Sequence, residues 1–149
     1  MPLSTKVAEA LTRVGSEIKS VRSQLTTTDG YAKRWEQEIL VQAGVRKTGF
    51  GSAPMGIYLP RGIKIQGIRY QLETPTTSGA TQGALWFNKE YNFNSVGTQM
   101  NIAALNTGQT ITGLDINVAA GNRLSFEVTA IGSGTIGSGL YMALWGVYT

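Results

Sequence analysis

The sequence predicts a mainly β protein, an antiparallel β-sandwich of the jelly-roll kind, with one helix at its N-terminus. From residue 34 onwards, apolar residues alternate at period two in short runs separated by Gly, Asn and Ser turns. Before that point, large apolar residues recur every three or four positions, which is the helical period. Nineteen glycines and only 15% charged residues suit a chain with many tight turns.

The helix is predicted from VAEALTRVGSEIKSVRSQL, residues 7–25, with Ser4 as its N-cap. The following TTTDG, residues 26–30, combines β-branched residues with an Asp-Gly turn pair, and we expect it to end the helix. This predicts a helical stalk or docking segment over 1–28 and a β-sandwich knob domain over 29–149.

The helix carries an apolar residue at every a and d position of three heptads. We call this set the apolar seam: Leu11, Ile18 and Leu25 at a, and Val7, Val14 and Val21 at d. Parallel dimers prefer β-branched residues at a and Leu at d, whereas this seam is close to the reverse, which favours three or four strands. Glu17 at g and Arg22 at the following e are expected to pair between chains. We therefore predict a homotrimer; the alternative is an amphipathic helix packed on its own β domain.

The remaining elements are seven to nine short strands. They are predicted over 34–42, 63–72, 84–88, near 96–103, and over 110–118, 123–131 and 140–148. The segments 47–56 and 74–83 are expected to be a loop and a turn cluster.

Two of these strands carry specific expectations. In IKIQGIRYQL the apolar alternation changes phase, and a bulge at Gly67 would return all five large apolar residues to one face. In the final strand, Leu140, Met142 and Leu144 alternate and should face the core.

No catalytic residue, metal site or cofactor is predicted, and we do not expect an enzyme. The chain has no Cys and no His, which removes thiolate ligands, disulfides and the commonest general base. Glu36 and Glu38 share a strand face, but an exposed acidic pair explains them without chemistry. GSGTIG, residues 132–137, matches the dinucleotide fingerprint, yet a strand follows it instead of a helix, so we interpret it as a hairpin loop.

The charge distribution indicates neither a nucleic-acid nor a membrane partner. The net charge is +4, and residues 1–73 hold eleven Lys and Arg against six acids. We interpret the excess as the solvated face of the helix, because no aromatic platform for single strands accompanies it. No apolar run reaches the roughly 18 residues of a membrane span, and no secretory signal core is present, so we expect release into the cytoplasm of the producing cell.

One segment has the residue types of a sugar-binding surface. WFNKEYNFN, residues 86–94, interleaves aromatic faces with amide groups that would fix the orientation of a ligand. The candidate glycan-binding residues are Trp86, Tyr91, Asn92, Phe93 and Asn94, with Tyr91 or Phe93 as platform. The alternative is that Trp86 belongs to the core while Tyr91 and Phe93 cover a hairpin.

Three stretches resemble minor tail proteins and fibres of phages that infect actinobacteria. Residues 4–25 resemble their helical start, and residues 59–88 and 113–145 resemble their repeating β module. Asn122 stands where that module usually has Asp. The positions that match its later signature are Ala119, Ala120, Gly121, Leu124, Val128, Gly132, Ser133, Gly137 and Leu140.

The resemblance implies a trimeric β-sandwich protein of a virion, assembled in the host cytoplasm with other virion proteins as partners. We therefore expect a tail-tip or fibre protein that presents its knob to the host surface. The residue types of segment 86–94 make a host cell-surface glycan the candidate partner of that knob. The alternatives are a capsid decoration or head-fibre protein, and a non-phage carbohydrate-binding module. The resemblance implies no catalytic residues.

Overall fold

The computed structural model describes residues 3–93 and 97–149 and divides the chain into two compact units, Met1–Arg34 and Trp35–Thr149. The first unit contains α1, Leu3–Ala32. The second contains nine strands in its described residues: β1 Arg34–Val45, which begins at the boundary, β2 Ile57–Tyr58, β3 Ile63–Gln71, β4 Ser78–Phe87, β5 Tyr91–Asn92, β6 Met100–Ile102, β7 Gly108–Val118, β8 Arg123–Ser133 and β9 Ser138–Tyr148. The predicted fold class, a mainly antiparallel β-sandwich with one N-terminal helix, is confirmed.

The helix continues through the Thr-rich segment where the sequence predicted its end. Thr26 Oγ1 donates to the Arg22 carbonyl at 2.9 Å, and Thr28 Oγ1 donates to the Gln24 carbonyl at 3.0 Å. These hydroxyls are therefore satisfied by the helix itself. A Thr costs a helix less than about 0.7 kcal/mol, and adding a residue to an existing helix requires no new nucleus. The predicted stop is therefore wrong, because α1 runs to Ala32, seven residues or about two turns beyond Leu25.

Two sheets form the β unit. The four-stranded sheet has the order β1-β9-β3-β7, and the five-stranded sheet has the order β2-β8-β4-β5 with β6 also paired to β4. The pairs β3–β7, β3–β9, β2–β8, β4–β5, β4–β6 and β4–β8 are antiparallel.

Some boundaries differ from the prediction. β4 begins at Ser78, inside the predicted turn cluster, and the two-residue strands β2 and β5 were not predicted. The GSGTIG segment joins β8 to β9, which belong to different sheets, so it is a crossover and not a hairpin loop.

The bulge predicted in β3 is present. The register of β3 against both of its neighbours shifts between Ile65 and Gly67. All five large apolar residues on this stretch are buried: Ile63, Ile65, Ile68, Tyr70 and Leu72. A Cβ at Gly67 would lie 2.0 Å from Cζ2 of Trp145, so glycine is required for the indole to rest on the strand.

The final strand is central in its sheet, and its three predicted core residues are buried. β9 lies between β1 and β3 in the four-stranded sheet, and Leu140, Met142 and Leu144 are each 1% exposed or less. They join one apolar core between the sheets, whose buried members come from residues 35–144.

A buried tyrosine makes the stability of this core sensitive to alkaline pH. Tyr70 Oη donates to the Thr98 carbonyl at 2.6 Å, and burial raises the pKa of Tyr70 well above its ordinary value of 10.0. A raised pKa keeps the folded hydroxyl protonated where the unfolded chain ionises, so this contribution is complete below about pH 10 and declines above it. We expect Tyr70 alone to make the free energy of unfolding fall by up to about 1.4 kcal/mol per pH unit there.

Urea unfolding of the wild type and of Tyr70→Phe, at neutral pH and at about pH 11, checks this prediction. The substitution should cost about 1 kcal/mol at neutral pH, because the Thr98 carbonyl loses its donor, and should make the alkaline decline shallower. Equal alkaline declines in the two proteins would contradict the assignment to Tyr70.

Candidate functional site

The apolar seam of α1 is exposed over its whole length. Its six members are between 50% and 67% exposed in the chain: Val7, Leu11, Val14, Ile18, Val21 and Leu25. A row of large apolar side chains in water is a surface whose burial against another helix is favourable, at about 25 cal/mol per Å². The seam therefore has the properties of an association surface.

The predicted interchain ion pair has a competing partner within the helix. Glu17 Oε1 accepts from Nε of Arg13 at 3.2 Å, an i,i+4 pair in which both side chains are exposed. Such a pair contributes only a few tenths of a kcal/mol. Glu17 therefore loses little by exchanging Arg13 for Arg22 of a neighbouring chain, and that interchain pairing stays a prediction.

The predicted glycan-binding segment does not form an aromatic platform in the part the structure describes. Phe93 is 6% exposed and packs edge-on against Phe87 at a centroid distance of 6.2 Å, so its role as a platform is corrected to a core residue. The chain turns inward directly after the short strand β5, and the ring of Phe93 fills the space between the sheets.

Trp86 and Asn92, two other residues of the predicted glycan-binding segment, lie opposite each other on neighbouring strands. Trp86 is half-buried in β4, with its ring 6.0 Å from that of Phe50 in the loop after β1, and Asn92 lies opposite Trp86 in the β4–β5 register. Asn94 and the side chain of Tyr91 lie outside the described part of the chain.

A different surface has the form of a binding site. The outer face of the four-stranded sheet carries an open groove of about 730 Å³, a volume in the range of ligand sites. We call it the outer-face groove. It is lined by Glu36 and Glu38 of β1, Tyr141, Ala143 and Trp145 of β9, Arg69 and Gln71 of β3, and Thr110 of β7.

The register of the sheet explains the shape of the groove. Ala143 lies opposite Arg69 across the β9–β3 pair, between Tyr141 and Trp145 on the same face of β9. The small side chain of Ala143 leaves a depression between two aromatic residues. Trp145 is held low because its indole rests on Gly67, which offers no side chain to displace it.

The walls of the groove carry hydrogen-bonding groups. Glu36 and Glu38 are exposed, and neither carboxylate has a hydrogen-bond or ion-pair partner among the residues that the structure describes. On the opposite wall, Arg69 Nη2 donates to Gln71 Oε1 at 3.2 Å, which fixes the two side chains side by side. With two acids and one base the local charge is −1.

The described residues contain neither a cluster of three metal ligands nor a membrane-spanning helix. Within residues 3–93 and 97–149, no group of three or more His, Cys, Asp or Glu side chains is placed to hold a metal ion. The one helix in this part of the chain lacks the length of apolar sequence needed to cross a membrane.

Sequence reasoning found two residues of the groove and missed the rest. Glu36 and Glu38 were recognised as sharing a strand face. Tyr141 and Trp145 were not considered, although they occupy the positions of β9 that alternate with its core residues. The signal for these two residues was therefore in the sequence: the positions of the final strand that alternate with its core residues carry two aromatic side chains.

Comparison with known proteins finds likeness in structure only. No family model matches the chain, and no curated protein matches it. Similar solved structures include a chain of the acidic stable capsid of Helicobacter pylori bacteriophage KHP30, with 12% identity over 78% of this chain and 86% of that one and a TM-score of 0.49.

Others are the CBM36-1 domain of a multidomain xylanase from the hindgut metagenome of Trinervitermes trinervoides and the capsid asymmetric unit of cyanophage Pam1. The first has 15% identity over 74% of this chain and 96% of that one, with a TM-score of 0.42. The second has 15% identity over 78% and 81%, with a TM-score of 0.36. Because these TM-scores are below 0.5, no functional inference follows from them.

Proposed function

We propose that this chain is a structural protein of a phage virion, which self-associates through α1 and presents its β-sandwich at the host surface. The observation that carries the proposal is the exposed apolar seam on a helix of 30 residues, joined in sequence to a β unit with its own core. The resemblance of residues 4–25, 59–88 and 113–145 to phage minor tail and fibre proteins supports the virion role.

The composition of the seam supports a trimer. β-branched Val at every d position, with Leu at two of the three a positions, disfavours the parallel dimer. The helix would be about 45 Å long, which is enough for a short self-associating stalk. Most of the stability of helices in proteins comes from packing of an apolar face, so association would stabilise the helix and bury the seam together.

Two other functions remain as alternatives. A capsid decoration or head-fibre protein would use the same helix to dock on the phage shell. A non-phage carbohydrate-binding module is favoured by the outer-face groove but leaves the apolar seam unexplained. Labelling intact particles with an antibody against the chain tests the proposal: label at the tail tip supports it, label over the head favours decoration, and unlabelled particles would overturn the virion role.

The oligomeric state gives a direct test of the stalk. Light scattering at micromolar concentration should yield about three times the chain mass of 16.0 kDa. Val14→Lys with Ile18→Lys should shift the protein to the monomer mass, because six ammonium groups of a trimer cannot be buried together in the seam.

The matched control places the same two charges on the opposite side of the helix. Ser16 and Ser23 occupy f positions of the heptad, so Ser16→Lys with Ser23→Lys should leave the trimer mass unchanged. A wild-type protein that stays monomeric at every concentration would refute the stalk, as would an equal loss of mass in both double variants.

A further inference from the structure

Folding alone does not account for the side chains in the outer-face groove. Trp145 and Tyr141 lie on the face of β9 that points away from the core, and Tyr141 is 37% exposed. The core is filled from the other face of the same strand by Leu140, Met142 and Leu144. Two aromatic residues on the outer face of a central strand, with a glycine beneath one of them, therefore indicate a ligand surface.

We infer that the outer-face groove binds a neutral oligosaccharide. Pyranose rings have apolar faces that pack on aromatic side chains, and hydroxyl rims that need both donors and acceptors. Trp145 and Tyr141 supply the aromatic surfaces. The carboxylates of Glu36 and Glu38 supply acceptors without a protein partner, and the Arg69–Gln71 pair supplies donors on the opposite wall.

The same groups disfavour other classes of ligand. A local charge of −1 repels polyanions such as nucleic acid or sulfated glycans. A peptide that added a strand would pair with the free edge of β1 or β7, whereas the two aromatic residues lie on β9, an interior strand with a neighbour on both sides. A ligand over Tyr141 and Trp145 therefore binds through side chains, as a sugar does.

The length of the groove favours a chain of sugars over a single ring. Tyr141 and Trp145 are four residues apart on one strand, which is about 13 Å. That separation exceeds one pyranose ring, and Ala143 keeps the floor between the two aromatics low. We assign Trp145 and Tyr141 to successive sugar units, with Glu36 and Glu38 along one side.

This inference rests on the recognition part of the proposed function and is independent of the stalk. The groove lies within a single chain, so a monomer with charges in the seam keeps each site and loses only the gain from multivalency. If the protein does not form a trimer, the affinity of each single site for sugar should therefore be unchanged. If the groove does not bind sugar, the mass of the trimer should be unchanged.

The test uses the full chain on an array of neutral oligosaccharides of glucose, galactose, mannose, arabinose and xylose, with sulfated and uronic acid glycans beside them. We expect binding to a subset of the neutral sugars. Calorimetric titration with the best neutral oligosaccharide should give a single-site Kd in the high-micromolar to millimolar range, as suits a shallow open site.

Two groove variants and one control locate the site. Tyr141→Ala and Glu38→Gln should each weaken binding at least about fivefold while the melting temperature stays within a few degrees. Tyr58 on β2, which is 55% exposed and outside the groove, provides the matched aromatic control, and Tyr58→Ala should bind as the wild type does. The inference is overturned by an absence of binding to every neutral sugar, by binding confined to acidic glycans, or by unchanged affinity in both groove variants.

Discussion

Removal of residues 140–149 is expected to abolish cooperative folding of the β unit. The deletion takes away nearly all of β9, which is hydrogen-bonded between β1 and β3. It also removes Leu140, Met142 and Leu144 from the core, and each buried residue of this size contributes roughly 2–5 kcal/mol. The sum is comparable to the whole free energy of unfolding of a domain, about 5–15 kcal/mol. The truncated chain should show no thermal transition by near-ultraviolet circular dichroism.

A deletion of equal length in the helix is the control, because it shortens the chain by the same amount without removing a central strand. Removing residues 4–13 shortens α1 but takes no member from the buried core, which begins at Trp35. That variant should keep a cooperative thermal transition. Retention of the transition after deletion of 140–149 would show that β9 is not central to the fold.

The central strands were predictable because each alternates over a long stretch. In β3 the apolar phase breaks once, and a strand that buries one face throughout must absorb the extra residue in a bulge, which glycine permits at position 67. In β9 the same alternation predicted the three core residues correctly. In a long alternating segment the sequence determines which face is buried, because a shift in register by one residue would expose the entire apolar set.

Short or weakly patterned elements were not predictable in the same way. The end of α1 was misplaced because Thr hydroxyls can bond to helix carbonyls, so the sequence signal for a stop was ambiguous. Phe93 was misassigned because it follows a two-residue strand, which has no period from which to infer a face.

The outer-face groove could not be read from any local motif. Its residues come from β1, β3, β7 and β9, and Glu36 and Trp145 are brought onto one face only by the strand order of the sheet. The sequence shows which residues of each strand are exposed, but strand order depends on contacts between distant segments. Candidate sites on sheet faces therefore need the topology before they can be assembled.

Replacement of Arg46 by Met is expected to destabilise the β unit by about 2–4 kcal/mol. Arg46 directly follows β1 and is 1% exposed, and burial lowers its pKa. Its Nη1 donates to the carbonyls of Thr74 at 2.6 Å, Ser138 at 2.8 Å and Gly139 at 3.3 Å. One guanidinium thus connects the end of β1 to the start of β9 and to the segment after β3. Met keeps the apolar stem but removes the donor, so carbonyls in a covered site lose their hydrogen bond.

Arg69→Met provides the matched control for Arg46→Met, because the substitution is chemically identical while Arg69 is exposed on β3. The control should change the free energy of unfolding by no more than about 0.5 kcal/mol. Arg46→Lys should fall between the two, since an ammonium keeps the charge but cannot reproduce the planar fork of donors. Nε and Nη2 of Arg46 are buried without a hydrogen-bond partner among the described residues. The cost of Arg46→Met therefore comes from the carbonyls left behind, and equal urea midpoints for Arg46→Met and Arg69→Met would show that those carbonyls do not depend on the guanidinium.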